Sequence, residues 1–541
     1  MSEPLLPRMT PMIGRMARSM IRMAGRRRFL RVSLALSAVL SLALGSTAHA
    51  APRLPAVFGD GMVIQRDVPI PVWGWASPGE TVTVSFKGRT ETDIVDEDGR
   101  WEVTLGALPA DEISADLVVS TGEGKDKIVV TNVVVGDVWL ASGQSNMAWT
   151  VERSANAEEE IDAARYPLIR EMAVARRTAT EPQEETEATW VVCSPETAGK
   201  FSAVGYYFAR KLFRELDVPI GIINSTWGGT PVEAWTRRDA LARDRRLMDI
   251  FVRWEAILGE FPDALERYYQ AVKDWEEKKQ LAASLGSEFN VPKPRPPRGP
   301  KHQHRPGNLY NAMINPLTRV PIKGVIWYQG ESNAWNPEEY AVSFPVMIRD
   351  WRARWAQSEL PFYFVQLASF APEGQAEDGD WPWLREAQTA ALNLPDTGMA
   401  VTIDIGERDD IHPRNKQDVG DRLARLALAK TYGRQIEYSG PTYKSMRVRR
   451  GVVELTFEHV AGGLAAFGSD VEGFEIAGED RVFYPARARI EDNKVYLSNS
   501  QVSEPVAVRY AWDNFPKATL TNSEGLPAAP FRTDYWSRKK E

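Results

Sequence analysis

Between residues 133 and 405 short apolar runs alternate with amphipathic stretches, and that alternation limits the fold more than any other feature of the chain. The runs are Val133–Leu140, Pro219–Asn224, Ile322–Tyr328, Phe362–Leu367 and Met399–Ile405. Their near-continuous apolar character predicts parallel strands buried on both faces. The segments between them supply the covering helices: Val204, Phe208 and Leu212 recur at helical spacing, and 338–355 and 417–432 are similarly amphipathic. The pattern defines an α/β core.

The rest of the 541 residues leaves room for further domains. From Leu54 to Val133 short β-rich runs, Ile70–Trp75, Thr81–Phe86 and Ile128–Val135, are punctuated by Asp60-Gly61 and Asp98-Gly99. That spacing predicts an antiparallel sandwich. After Tyr438 the alternation returns, as in Val452–Phe457 and Val495–Leu497, and predicts a closing β domain. The core is interrupted from Arg237 to Pro306 by a charged stretch with scattered aromatic residues and the run Pro292-Lys293-Pro294-Arg295-Pro296-Pro297. We read this as a helical hairpin with a stiff return segment. The expected layout is a leader at 1–50, a β-sandwich at 51–132, the core at 133–236 and 307–435, the insertion at 237–306 and a β domain at 436–541.

Arg26-Arg27-Arg28-Phe29-Leu30-Arg31 precedes an apolar run ending at Leu44, and Ala48-His49-Ala50 supplies small residues for signal cleavage. This predicts export to the periplasm or the extracellular medium. The Arg-Arg-x-Phe-Leu order resembles a twin-arginine signal with Gly25 where Ser or Thr is usual; an ordinary secretory signal is the other reading. No later run reaches the length of a membrane span, so no membrane association is expected after cleavage. A chain beginning after Ala50 carries 58 bases against 72 acids, a net charge of about −14, which disfavours nucleic acid as a partner. Cys193 stands alone, which excludes an internal disulfide or a thiolate metal cluster.

The polar residues that can do chemistry gather where the predicted strands end. The first strand runs into Ala141-Ser142-Gly143-Gln144-Ser145-Asn146-Met147, a small-residue turn opening a helix. A serine there is a nucleophile candidate, because nearby backbone N–H groups can hold an oxyanion; it can also merely cap the helix. The second strand ends in Trp227-Gly228-Gly229-Thr230, and the third in Tyr328-Gln329-Gly330-Glu331-Ser332-Asn333. The fifth leads into Asp409-Asp410-Ile411-His412-Pro413. Of the five histidines only His412 lies close to a core strand end with acids nearby. An Asp three residues before it can curl back to Nδ1 and stabilise the imidazolium that forms when the ring takes a proton from serine. Ser145, Gly228, Gln329 and His412 all follow carboxyl ends of strands, where open parallel sheets bind ligands.

Together, Gly-Gln-Ser-Asn-Met at 143–147, Trp-Gly-Gly-Thr-Pro at 227–231, Tyr-Gln-Gly-Glu-Ser-Asn at 328–333 and Asp-Asp-Ile-His-Pro at 409–413 resemble the sialate O-acetylesterase family, within the SGNH-hydrolase superfamily. The resemblance extends to Gly-Leu-Pro-Ala-Ala-Pro-Phe-Arg-Thr at 525–533. It implies a flavodoxin-like SGNH core with a helical insertion and flanking β-sandwich-type domains, acting on an acetylated saccharide without metal or other cofactor. Carried over by position, Ser145 is the nucleophile, Asp409 and His412 the Asp-x-x-His pair, and the amides of Ser145 and Gly228 the oxyanion donors. The side-chain donor is Gln329 or Asn333, with Gln329 preferred as the nearer to its strand end. Glu331 is a further support for the histidine, and Trp227 and Trp327 are either packing or sugar platforms, as is Trp335. A lipase or thioesterase acting on longer acyl chains, or an inactive glycan-binding protein, are the competing readings.

Overall fold

The computed structural model describes residues 51–124, 126–374 and 380–538; the expected leader at 1–50 lies outside the described residues. The core sheet runs in the order Thr397–Ala400, Phe362–Val365, Gly324–Tyr328, Asp126–Gly143, Ile220–Thr226, Ile169–Val174, Ala188–Val192. Neighbours are parallel except the last pair. Numbering the five expected strands along the chain gives the order 2-1-3-4-5. The strand order therefore reverses at Asp126–Gly143, and open sheets of this kind hold their ligand crevice at the carboxyl end of such a strand.

Ile169–Val174 is a core strand that the apolar pattern missed, because Arg170 and Glu171 interrupt it. Both are buried with partners. Arg170 donates to the carbonyls of Gly61 and Asn132, and Glu171 accepts from Ser202 N at 3.0 Å and Asn224 Nδ2 at 3.2 Å. Burial lifts the Glu171 carboxyl to about 7. A strand can thus be central and still carry charge, provided each polar atom is met.

Asp126–Gly143 spans 18 residues and serves two sheets. Its first part pairs antiparallel with Asp111–Thr121 in the N-terminal β region and leaves several side chains exposed. From Val133 onward every residue is buried, and the strand pairs in parallel with Ile220–Thr226 and Gly324–Tyr328. The boundary expected at 132/133 falls inside this strand. Near it, Asp137 accepts from Arg66 Nε and Nη2, both at 2.9 Å, and from Tyr432 Oη at 2.9 Å. These charge-assisted bonds tie the N-terminal region, the core and the end of the last core helix together.

Helix Ala203–Leu216 begins at Ser202, whose side chain accepts from Gly205 N, and helix Lys416–Leu426 begins at Asn415, which accepts from Asp418 N. The two pack against the same side of the sheet through Val204, Phe208, Val419 and Leu423. Pro337–Arg354 contributes to the other cluster, where Trp327 lies 5.7 Å from Trp351 and 6.1 Å from Trp235. The C-terminal region is antiparallel throughout its strand pairs. No helix among the described residues is long and apolar enough to cross a membrane.

The insertion departs from expectation. Instead of a hairpin it forms a short helix, Arg238–Ala242, and one long helix, Met248–Ser284, followed by the expected extended return. The proline run cannot supply the N–H groups of a second helix, so it travels extended. Trp275 Nε1 donates to Val291 O at 2.8 Å, and Gly299 lies directly against the Phe261 ring. Fourteen helical residues and eight extended ones thus cover a similar distance, roughly 21 and 25 Å. Only the base of the helix, Ile250, Phe251 and Trp254, joins a buried cluster, packing toward Val342 and Val346. Replacing 263–297 by a short Gly-Ser linker should leave the melting temperature within about 3 °C of the parent by calorimetry. Trp254→Ala, by contrast, should cost about 3 kcal/mol in urea unfolding.

Candidate active site

Three strand ends meet at the crevice, with Gly143 in register between Thr226 and Tyr328. Gly143 leaves its strand at φ 133°, and a β-carbon there would stand 2.2 Å from Tyr328 O. Only glycine allows this turn and this approach. Gln144 N then donates to Tyr328 O at 3.0 Å, and Ser145 opens the single turn Ser145–Ala148.

The sheet brings His412 to this turn from 267 residues away, with Nε2 2.9 Å from Ser145 Oγ. The acid beside the other ring nitrogen is Asp410, not Asp409. Asp410 Oδ1 lies 3.4 Å from His412 Nδ1 and accepts the backbone N–H of His412 at 2.8 Å. The reason is local: an Asp carboxylate readily accepts the N–H two residues ahead of it, and that turn swings the same oxygen toward the ring. Asp409 is exposed and makes no such contact. With the proton on Nδ1, Nε2 is free to accept from the serine hydroxyl.

Burial is the main influence on His412, and it lowers the ring's pKa below the ordinary 6.5. Asp410 opposes this, but it is half exposed and its pull is screened. Lys416 and Arg153 push in the same direction as burial. Trp149, which the sequence reading passed over, stacks on the imidazole at 4.9 Å and 17°, while the Arg153 guanidinium stands 3.6 Å from the centre of the indole. Burial and these cations thus disfavour the charged ring, and the stacked indole fixes its plane.

Gly228 closes the other side. A β-carbon on it would meet Ser145 Cβ at 3.2 Å, and Trp227 N donates to Gly143 O at 3.1 Å. Neither Ser145 N nor Gly228 N has a hydrogen-bond partner among the described residues. Gln329 and Asn333, the two side-chain candidates for the oxyanion, are instead turned into the wall. Gln329 Nε2 donates to Thr230 O at 3.2 Å and to Asn333 Oδ1 at 2.7 Å. Asn333 Oδ1 also accepts from Val232 N, and its Nδ2 donates to Glu233 Oε2 at 3.0 Å. Both amides brace the Gly228 loop, because their donors are already engaged there.

Glu331 does not touch His412. It accepts from Asn146 Nδ2 at 2.6 Å, and the same nitrogen donates to Ile411 O at 3.0 Å. Trp327 is fully buried among Trp235, Phe344 and Trp351, which removes it as a sugar platform. Trp227 is half buried against the core. Trp335 is 55% exposed, with the Arg253 guanidinium of the insertion 5.1 Å from its ring centre and Arg253 itself paired to Glu339. The return segment reaches the same region, since His304 lies close to the backbone of Gly229.

Comparison with known proteins supplies the family. The family described as carbohydrate esterase, sialic acid-specific acetylesterase, matches residues 135–281 and 299–429. The chain belongs to this carbohydrate esterase family. It is 32% identical to the sialate O-acetylesterase of Mus musculus over 533 residues, covering 88% of this chain and 94% of that protein. It is 31% identical to the sialate O-acetylesterase of Homo sapiens over 530 residues, covering 88% and 92%. A solved carbohydrate acetylesterase from Xanthomonas citri superposes with a TM-score of 0.75 at 40% identity, over 90% of this chain and all of that one. For an esterase whose base is His412, kcat/KM on a soluble ester should fall with acid along a limb centred below pH 6.5, as protonation of the ring removes the acceptor. A stopped-assay profile from pH 4 to 9 checks this.

Proposed function

We propose that the chain is an exported carbohydrate O-acetylesterase working through Ser145, His412 and Asp410. The observation that carries the reading is the 2.9 Å contact of His412 Nε2 with Ser145 Oγ, set beside two unpartnered backbone amides in a chain of this family. As Ser145 Oγ attacks the acetyl carbonyl carbon, its proton passes to Nε2, and the amides of Ser145 and Gly228 receive the oxyanion. The C–O bond to the sugar then breaks, and the sugar oxygen takes the proton from His412. Water, deprotonated by the same ring, attacks the acetyl-enzyme; acetate leaves and Ser145 regains its proton. Asp410 stabilises the imidazolium through Nδ1, a role that the spacing in the sequence assigns to Asp409.

The strand order 2-1-3-4-5 supports reading the core as flavodoxin-like and SGNH-type, with accessory β domains. The segment ahead of Ala50, with its arginines and apolar run, supports export. The exposed Trp335 at the rim supports a sugar substrate, since an indole face suits the apolar face of a pyranose ring. Acetate release should therefore be measured on acetylated sialosides, xylan and xyloglucan oligosaccharides, alongside nitrophenyl esters of increasing acyl length. Acetyl esters of sugars should be preferred; a preference for long acyl chains would favour a lipase or thioesterase.

Ser145→Ala should abolish acetate release while the melting temperature stays near that of the parent. Asp410→Asn should lower kcat by roughly a hundredfold or more, and Asp409→Asn by less than about threefold. The opposite order would return the role to Asp409.

A further inference from the structure

Behind Ser145 and His412 lies a polar cluster that the steps above do not use. Lys416, the first residue of its helix, is fully buried, and its Nζ donates to Asn146 Oδ1 at 2.7 Å and to Pro413 O. Asn146 follows the nucleophile directly and donates onward to Ile411 O and Glu331 Oε1. The two carbonyls that flank His412, those of Ile411 and Pro413, are therefore both held by one linked pair of side chains. That pair starts from the residue after Ser145. Trp149 and Tyr328 wall the ammonium at 5.6 and 5.9 Å from their ring centres.

We propose that Lys416 is a positioning residue for the reaction: through Asn146 it ties the His412 loop to the nucleophile turn, and its ammonium stands on the side of the loop where it opposes a second positive charge on the ring. The inference rests on the reading of Ser145 and His412 given above. The groups that face His412 are Asp410, Lys416 and Arg153, and those that face Lys416 are Glu331, Glu407, Asp410 and Arg153. Burial pulls Lys416 down to about 7 and raises Glu331. When Lys416 carries its proton, its charge repels a second positive charge on the His412 ring. Replacing it by a neutral side chain must raise the His412 pKa and move the acid limb to higher pH.

The test uses the full chain with nitrophenyl acetate, comparing Lys416→Met and Lys416→Gln with the parent. Active sites are counted by a fluorophosphonate, so that misfolded enzyme is excluded from kcat. Lys416→Met should lose about tenfold or more in kcat with KM within about twofold, and its acid limb should rise by roughly half a pH unit or more. Lys416→Gln keeps a donor for Asn146 or Pro413 without the charge. It should recover part of kcat yet show the same shift of the limb, and it keeps the test open if the Met variant does not fold. An unmoved limb with unchanged kcat per active site in either variant overturns the proposal, as does a loss confined to the number of active sites. Ser145→Ala, run in parallel, separates the failures: full activity there refutes the nucleophile, whereas inactivity there with indifferent Lys416 variants refutes only this inference.

Discussion

At Gly143 the backbone of one strand end comes so close to Tyr328 O that a β-carbon would stand 2.2 Å from it. The rest of the site depends on that approach. Because Gly143 fits, Gln144 can donate to the same carbonyl, and the chain turns sharply enough to present Ser145 at the rim of the sheet and not bury it. A second close approach, Gly228 against Ser145 Cβ, fixes the loop on the other side. Two missing methyl groups thus set Ser145 against the Gly228 loop before any polar side chain is considered.

The polar side chains divide into those at the surface of this frame and those within it. Asp410 is half exposed, and its attraction for the imidazolium is weakened by water; burial of the ring outweighs it and lowers the ring's pKa below the ordinary value. Gln329, Asn333 and Glu233 form a buried chain of hydrogen bonds that holds the Gly228 loop. Burial lifts the Glu233 carboxyl to about 7, the direction expected for an acid with one good donor and little solvent. Such groups are costly to leave unpaired, which is why one misplaced amide here disturbs the loop as well as itself.

Much of this was legible in the sequence. The apolar runs located the core strands, and Ser145, Gly228 and His412 were drawn together because each follows a strand end. What was not legible has physical causes. Arg170 and Glu171 hid a core strand, since a one-dimensional pattern sees their charge and not the carbonyls and amides that meet it. Spacing alone assigned the acid to Asp409, whereas a tight turn places Asp410 beside Nδ1 of His412. Lys416 gave no signal because a lysine in the first turn of a helix is ordinarily solvated, and only the packing of Trp149 and Tyr328 makes it otherwise. In the insertion the proline run was legible as an extended return, whereas the residues read as a hairpin form one long helix after a short one, since their charged pattern carries no signal for a turn.

The 18-residue strand that passes from the N-terminal sheet into the core also has a mechanical meaning. Two modules joined by a loop can tilt against each other, but two sheets that share one strand can do so only by breaking ladder hydrogen bonds. The N-terminal β region is therefore a stiff outrigger of the catalytic sheet, with its orientation to the crevice fixed by the backbone. Any recombination of this region with another core must carry the whole strand with it; a splice at its midpoint severs the element that leads into the Ser145 turn.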